Sequence, residues 1–467
     1  MQATRCVRRA SSRALLNQRL ASAVVLIAAS AAHAQWSAAN LAPDFHIIEQ
    51  SAALGGAGTQ VVGWGLVVGQ TTVQYHAMLW LMNAPYRVDL NPAGATRSEA
   101  FGTTGTQQVG NAVFSNANHG GLWNGTAASW VDLNPAGASS SRVTGFAGTQ
   151  QVGSATFGNA TRAGRWNGTA ASWIDLNPAG ATGSVAYALA GTRQVGSATF
   201  GNATRAGVWN GSAASWIDLN PAGATGSSAK FIVGTQQVGE ATFGSATHAG
   251  LWNGTAASWI DLNPAGATSS QINAVSGTHQ VGRATFGNAP HAGFWNGTAA
   301  SWVDLHPAGA TESVAYGISG TTQVGYARFG GTYRAGVWGG TAASWQPLPY
   351  PADETTWTEW HPAQGTSVWT DGARLYVAGY ISRAGYVASL HRDTAVLWSR
   401  PLLPPCGNQD FNGDGDSGTD QDIEAFFACL AGNCCPTCGT ADFNADGDSG
   451  TDLDIEAFFR VLGGGPC

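Results

Sequence analysis

Charge is scarce in this chain of 467 residues. Asp, Glu, Lys and Arg together make 10% of it, and Lys230 is the one lysine. No basic stripe exists to displace phosphate counterions, which argues against a nucleic-acid partner. Beyond the first 34 residues no stretch of 18 consecutive apolar residues occurs, so no later segment is expected to span a membrane. Between residues 35 and 405 there is no cysteine, and helix-period patterning is missing from the same region. A nucleophile elbow, a phosphate loop and a zinc-binding His pair are absent throughout. Glycine-rich chains with little charge can be disordered, but here Trp, Phe, Val and Ile recur at fixed offsets, so a packed fold is expected.

The chain begins as a secretory signal peptide would. Arg5, Arg8, Arg9, Arg13 and Arg19 form a basic n-region, Ala21 to Ala32 is a short apolar stretch, and Ala32-His33-Ala34 has the form of a cleavage site. Residues 1–34 are therefore assigned to the signal, and the mature protein is expected to be secreted or held at the cell surface. Loss of the five arginines moves the net charge from −7 to about −12.

A unit of 43 residues fills most of what remains. Trp80, Trp123, Trp166, Trp209, Trp252, Trp295 and Trp338 stand one period apart, as do Gln108, Gln151, Gln194, Gln237, Gln280 and Gln323, each opening Gln-Val-Gly. Residues 151–193 and 194–236 are identical at 35 of 43 positions. A fixed period of this size marks one supersecondary unit copied and packed against itself. In the copy 194–236, four strand-like runs are read at 194–200, 205–209, 215–219 and 229–233. Asn210-Gly211 signals a hairpin, and Asn220-Pro221-Ala222-Gly223 ends the third run. Four antiparallel strands per 40–45 residues specify a β-propeller blade, and a β-solenoid is the weaker alternative. Eight Gln-Val-Gly-like segments, from Gln60 to Val377-Ala378-Gly379, predict a mainly β fold of eight blades over residues 35–400, with seven as second choice. The chain opens inside a blade, so its last strands are expected to close the ring.

Gln60-Val-Val-Gly63, Tyr75-His-Ala-Met-Leu-Trp80 and Val88-Asp-Leu90 resemble the extracellular HAF repeat family over residues 45–400. Later copies depart from it, with Arg162-Ala-Gly164 or His248-Ala-Gly250 in the His-Ala-Phe slot. The resemblance implies a secreted repeat protein without an established activity.

Two polar features recur in the ring. Asp89, Asp132, Asp175, Asp218, Asp261 and Asp304 offer either a cation-binding ring or, as the better reading, acceptors in turns before Asn-Pro. His76, His119, Arg162, Arg205, His248, His291, Arg334 and Arg383 offer either an anion site or partners for those carboxylates, and pairing is preferred. Catalysis requires unlike groups at one place, and the divergent stretch 351–400 carries Asp353, Glu354, Glu359, His361, Asp371, His391 and Asp393. No spacing marks Glu354 and Glu359 as a glycosidase pair. Trp357, Trp360 and Trp369 offer a surface for stacking on sugars, although tryptophans in a propeller are mostly core.

Pro401–Pro405 forms a linker, and composition then changes. Cys406, Cys429, Cys434, Cys435, Cys438 and Cys467 crowd residues 406–467, indicating up to three disulfides with open connectivity. A redox or zinc role for Cys435-Pro-Thr-Cys438 is disfavoured, because no histidine is near and the compartment is oxidising. Asp410, Asn412 and Asp414, then Asp442, Asn444 and Asp446, place oxygen ligands at positions 1, 3 and 5 of EF-hand calcium loops, with Asp416 and Asp448 following. Each loop enters an apolar-periodic helix, through Ile423, Phe426, Phe427 and Leu430 and through Ile455, Phe458, Phe459 and Leu462.

This small α-helical, disulfide-rich domain resembles the dockerin family, of the Gly/Cys-tailed kind that ends many exported planctomycete proteins. Position 12 falls on Gln421 and Leu453, so Asp420 or Asp422 and Asp452 or Asp454 must supply the late ligand. Thr419 with Asp422 and Thr451 with Asp454 read equally as helix capping boxes. The expectation is two Ca²⁺ sites and a cohesin-like or cell-surface partner. The propeller would present a binding face to an unknown ligand, carbohydrate being one candidate. A dockerin-borne carbohydrate-active enzyme of polysaccharide catabolism is the alternative.

Overall fold

The computed structural model describes residues 36–42, 48–68, 73–82, 87–352, 362–384, 391–402, 407–444 and 449–463. The signal segment, Cys406, Cys467, Asp446 and Asp448 lie outside them. The chain divides into a unit ending at Pro404 and a C-terminal unit beginning at Pro405.

The larger unit holds eight four-stranded antiparallel sheets among the described residues. Blade 4 shows how the repeat builds one. Its strands, from the axis outward, are Gly183–Ala190, Arg193–Phe200, Ala203–Trp209 and Ile217–Asp218. The first two strands are joined by Gly191-Thr192, and the second and third by Gly201-Asn202, as two-residue turns opened by glycines at φ +56° and +61°. The sequence repeat is therefore offset from the blade, with the innermost strand supplied by the preceding copy.

Every blade repeats one irregularity. The register slips between Ala186 and Ala188, so Tyr187 forms a β-bulge in the innermost strand. Gly196 of Gln-Val-Gly faces this distortion, and a Cβ there would meet the Val185 carbonyl oxygen at 2.0 Å. The third residue of that triplet is thus glycine by contact.

Asn210-Gly211 does not make the tight hairpin its sequence suggests. It opens a longer connection with a 3₁₀ turn at Ala213–Ser215, and the outer strand shrinks to Ile217–Asp218. The buried Gln194 decides this. Its Oε1 accepts the Gly211 N–H at 2.9 Å and its Nε2 donates to the Thr192 carbonyl at 2.9 Å, while Asn210 N–H donates to Ser215 Oγ at 2.8 Å.

Cores lie between blades. Val152, Ala163 and Leu176 of one blade pack with Ala186, Leu189 and Trp209 of the next. An open row of eight blades would have seven such interfaces, and there are eight. The eighth joins Trp369, Tyr376, Ala378 and Ala395 of the last blade to Ala53, Val61, Met78 and Trp80 of the first. The ring is closed. The closing strand is Ser37–Asn40, which pairs with His391–Pro401 as the outer strand of blade 8. Its four residues carry no pattern that separates them from a loop.

The C-terminal unit contributes two helices, Asp420–Leu430 and Asp452–Leu462. Phe411, Phe426, Phe443 and Phe458 form its core, with Phe426 and Phe458 stacked at 4.1 Å. Phe427 and Phe459, on the same apolar-periodic stripes, are 43% and 46% exposed and lie 6.2 Å apart. Disulfides join Cys429 to Cys434 and Cys435 to Cys438. No helix among the described residues is long and apolar enough to cross a membrane.

Candidate functional site

The repeated carboxylates are consumed by local structure. Asp218 Oδ1 accepts the Asn220 N–H at 2.7 Å, and its Oδ2 accepts from Arg205 Nη1 at 2.9 Å. Histidine serves equally, as in His119 Nδ1 to Asp132 Oδ2 at 2.7 Å. The same pairing joins His76 to Asp89, Arg162 to Asp175, His248 to Asp261 and His291 to Asp304. In blade 7 Pro347 takes the place of Asp, and Arg334 lies 5.9 Å over the Phe329 ring. The side chain of Arg383 lies outside the described part. Neither ring is a binding site by itself.

In blade 6 His306 replaces the asparagine that follows this Asp. It bonds Ser313 Oγ at 2.9 Å and the Ala310 carbonyl at 3.0 Å, and it stacks on His291 at 3.9 Å. Burial lowers its pKa below the ordinary 6.5 and the His291 charge adds to this, while the Ala310 bond and Asp304 oppose it.

Of the divergent stretch, Asp353, Glu354, Trp357, Glu359, Trp360 and His361 lie outside the described residues, as does the side chain of His391. Asp371 accepts the backbone N–H groups of Ala373 and Arg374 and the Tyr376 hydroxyl, which lower its pKa and make it a turn residue. Asp393 accepts from the Ser382 hydroxyl. Trp369 is no sugar platform. It is 9% exposed and donates to the Gly58 carbonyl at 3.1 Å across the closing interface.

Where copies differ is more informative. Copies 151–193 and 194–236 differ at eight positions, and five of these fall in the innermost strands, from Val185/Ser228 to Ala190/Val233. A second variable position follows Gln-Val-Gly: Asn111, Ser154, Ser197, Glu240, Arg283 and Tyr326. Each pairs across strands with a variable residue of the innermost strand, Asn111 with Glu99, Glu240 with Ser228 and Tyr326 with Val314. These pairs approach the end of the ring that carries the Gly-Asn turns and the Asn-Pro-Ala-Gly loops.

Among the described residues, three cavities open at that end, each with its own chemistry. One of about 520 Å³ is lined by Trp64, Tyr75, Arg97, Glu99, Asn111 and Arg142. A second of about 280 Å³ holds Glu240, Gln271 and Arg283, where Arg283 donates to Gln271 at 3.0 Å. A third of about 330 Å³ is walled by Tyr316, Tyr326, Tyr333 and Tyr380. Internal comparison of copies was the signal that could have found this face in the sequence.

In the C-terminal unit, Asp410 Oδ1 and Asn412 Oδ1 both accept the Asp414 N–H, and Asn412 Nδ2 donates to Asp414 Oδ2 at 2.8 Å. Hard oxygens thus converge on one loop, a donor set suited to Ca²⁺ rather than a soft metal. Asp416, Asp420 and Asp452 are exposed. Asp422 and Asp454 are fully buried and cap the helices. Asp422 Oδ2 accepts from Thr419 N–H at 2.8 Å and its hydroxyl at 3.0 Å, and Oδ1 accepts the Asn412 N–H at 3.2 Å. Asp454 repeats this with Thr451 and Asn444. Among the described residues no three His, Cys, Asp or Glu gather at metal-binding distance.

No protein-family model matches the chain, and no curated protein sequence matches it. Among solved structures it is similar in form to puromycin hydrolase, at 12% identity over 76% of this chain and 61% of that one, with a TM-score of 0.41. The β-propeller domain of the Trilobed protease from Pyrococcus furiosus matches at 8% identity over 66% of this chain and all of that one, with a TM-score of 0.46. TolB from Acinetobacter baumannii matches at 10% identity, covering 62% and 80% of the two chains, with a TM-score of 0.35. The chain spans less than two thirds of the length of the puromycin hydrolases it matches. Likenesses this distant bear on neither activity nor ligand.

Proposed function

We propose that this is an exported, non-enzymatic binding protein, in which the propeller presents a recognition face and the C-terminal unit docks the molecule to a cohesin-like or cell-surface partner. One observation carries the reading. Copies 151–193 and 194–236 are identical at 35 of 43 positions, and five of the eight differences fall in the innermost strand beside the axis. Gln194, Gly196 and Trp209 recur as scaffold, while Val185/Ser228 and Tyr187/Lys230 of the innermost strand change in chemical kind. Among the described residues, the acids and bases of the ring are engaged in turns and pairs rather than gathered as a reacting set.

In the C-terminal unit, Asp410, Asn412 and Asp414 would hold one Ca²⁺, and Asp442, Asn444 and Asp446 the second, with Asp420 and Asp452 free of capping duty. Bound calcium would screen these carboxylates against one another. Exposed Phe427 and Phe459, one from each helix, offer an apolar patch to the docking partner. Calcium titration of the oxidised full-length protein by calorimetry tests the metal reading. Uptake of two ions is expected, Asp414→Ala should remove one, and no uptake refutes it. Incubation with a panel of polysaccharides tests the non-enzymatic reading, and sustained release of reducing ends would overturn it.

A further inference from the structure

The cavity between blades 7 and 8 differs in kind from the other two. Tyr316 stands on the bulge of the strand Glu312–Ser319, Tyr326 on Thr322–Phe329, Tyr333 on Thr332–Trp338 and Tyr380 on Arg374–Ala384. Tyr316 and Tyr326 rings lie 5.9 Å apart, and Tyr326 meets Tyr333 edge to face at 5.0 Å. Equivalent positions in blade 4 carry Ser197 for Tyr326 and Thr204 for Tyr333. The scaffold therefore does not require aromatics here. Ring faces supply apolar area while hydroxyls keep a polar rim.

The polar groups are fixed and close to neutral as a set. Tyr380 Oη donates to Gln364 Oε1 at 3.0 Å, which orients that carboxamide. Glu312, the carboxylate nearest Tyr333, lies 3.9 Å from Arg328. Burial pushes the Tyr380 phenol up to about 12 and Tyr326 higher still, so both hydroxyls stay protonated as donors and acceptors. A volume of about 330 Å³ is at the small end of the roughly 300–1,000 Å³ of small-molecule sites. Glu312 with Arg328, and Asp393 against Arg283, leave two charges of each sign around the tyrosines and no net charge to attract an ion.

Building on the binding-protein reading above, we infer that this tyrosine-walled cavity is a subsite for a neutral saccharide. A pyranose presents C–H groups on its face to a tyrosine ring, and its equatorial hydroxyls reach the phenols and the Gln364 carboxamide. Charged sugars would face Glu312 or Arg328 and have to break their pairing.

The test uses the full-length protein and the double variant Tyr326→Ser/Tyr333→Thr, whose residues other blades already hold at these positions. Affinity electrophoresis is run in barley β-glucan, konjac glucomannan, wheat arabinoxylan and dextran, with alginate as the charged comparison. Retardation by at least one neutral glycan is expected, with at least a tenfold loss of affinity in the double variant and an unchanged melting temperature. No retardation by any neutral glycan, or retardation by alginate alone, overturns the inference. Glycan binding that survives within twofold in the variant also overturns this site, while the binding-protein reading stands. Reducing-end release from a retarding glycan would sink the non-enzymatic reading and leave the saccharide site in place.

Discussion

The interface between blades 3 and 4 and the one between blades 8 and 1 use the same contact across very different lengths of chain. Ala163 N–H donates to Ser184 Oγ at 2.8 Å over 21 residues, and Ala395 N–H donates to Ser51 Oγ at 2.9 Å over 344. Each is flanked by a buried apolar cluster, around Trp209 in one case and Trp80 with Trp369 in the other. The first forms from adjacent copies at little entropic expense. The second must close a loop spanning almost the whole ring before its contacts count. Equal chemistry thus gives unequal roles, one interface adding a blade and the other making the set cooperative.

Deleting residues 194–236 should have the largest effect. Seven blades keep every adjacent interface but must close at a different curvature, so loss of the single cooperative melt is expected by calorimetry. A variant melting like the parent would mean that the array need not be closed.

Removing the closing strand by deleting residues 36–40 should come next. It exposes the edge of His391–Pro401 and takes out Trp36, which is 4% exposed. Trp36→Ala alone should cost about 3–5 kcal/mol by large-to-small truncation. Trp80→Ala in the closing cluster and Trp209→Ala at an internal interface should each cost a similar amount. Denaturant unfolding of the pair tells whether closing and internal cores are equivalent.

Ser51→Ala and Ser184→Ala sharpen the same question with less disruption. Each leaves a buried N–H without its acceptor, an expected cost of about 1–3 kcal/mol. Losses of similar size are expected, because the two N–H···Oγ contacts have nearly the same length, with Ser184→Ala the larger since Ser184 also donates to Asn177 Oδ1. A difference larger than that one bond accounts for would show that the closing interface is strained or loosened.

The smallest effect concerns acid. His306 has a lowered pKa in the folded state, so folding favours the neutral ring. Stability from this site is present above about pH 6.5, falls as pH drops through that value, and levels off below the folded pKa. His291, stacked on it, and Asp304 are the charged neighbours. His306→Asn restores the residue of the other blades and should flatten melting temperature between pH 5 and 7. A slope unchanged by the substitution would assign acid sensitivity elsewhere.

Much of the propeller was legible because it is written several times over. Eight Gln-Val-Gly-like segments gave eight blades, and the Asp-to-basic pairing was preferred because one acid and one base recur together in most copies. Asn210-Gly211 misled as a tight hairpin, since the longer connection is imposed by Gln194, distant in sequence and adjacent in space. Periodicity put Phe427 and Phe459 on the apolar stripes without telling that they stay exposed, because such a stripe is wider than the strip that two short helices bury. Trp369 was open to both readings, platform or core, and its interface with blade 1 decides for core.

By itself the sequence determined the repeat, its strand content, the blade number and the oxygen-rich loops of the C-terminal unit, because period and residue type are local properties of the chain. Only the tertiary structure decided that Ser37–Asn40 closes the ring, that the Gln-Val-Gly glycine faces a bulge, and that four tyrosines from two blades wall one cavity. Those outcomes depend on contacts between residues tens to hundreds of positions apart. Such contacts exist only once the blades have curved round to meet.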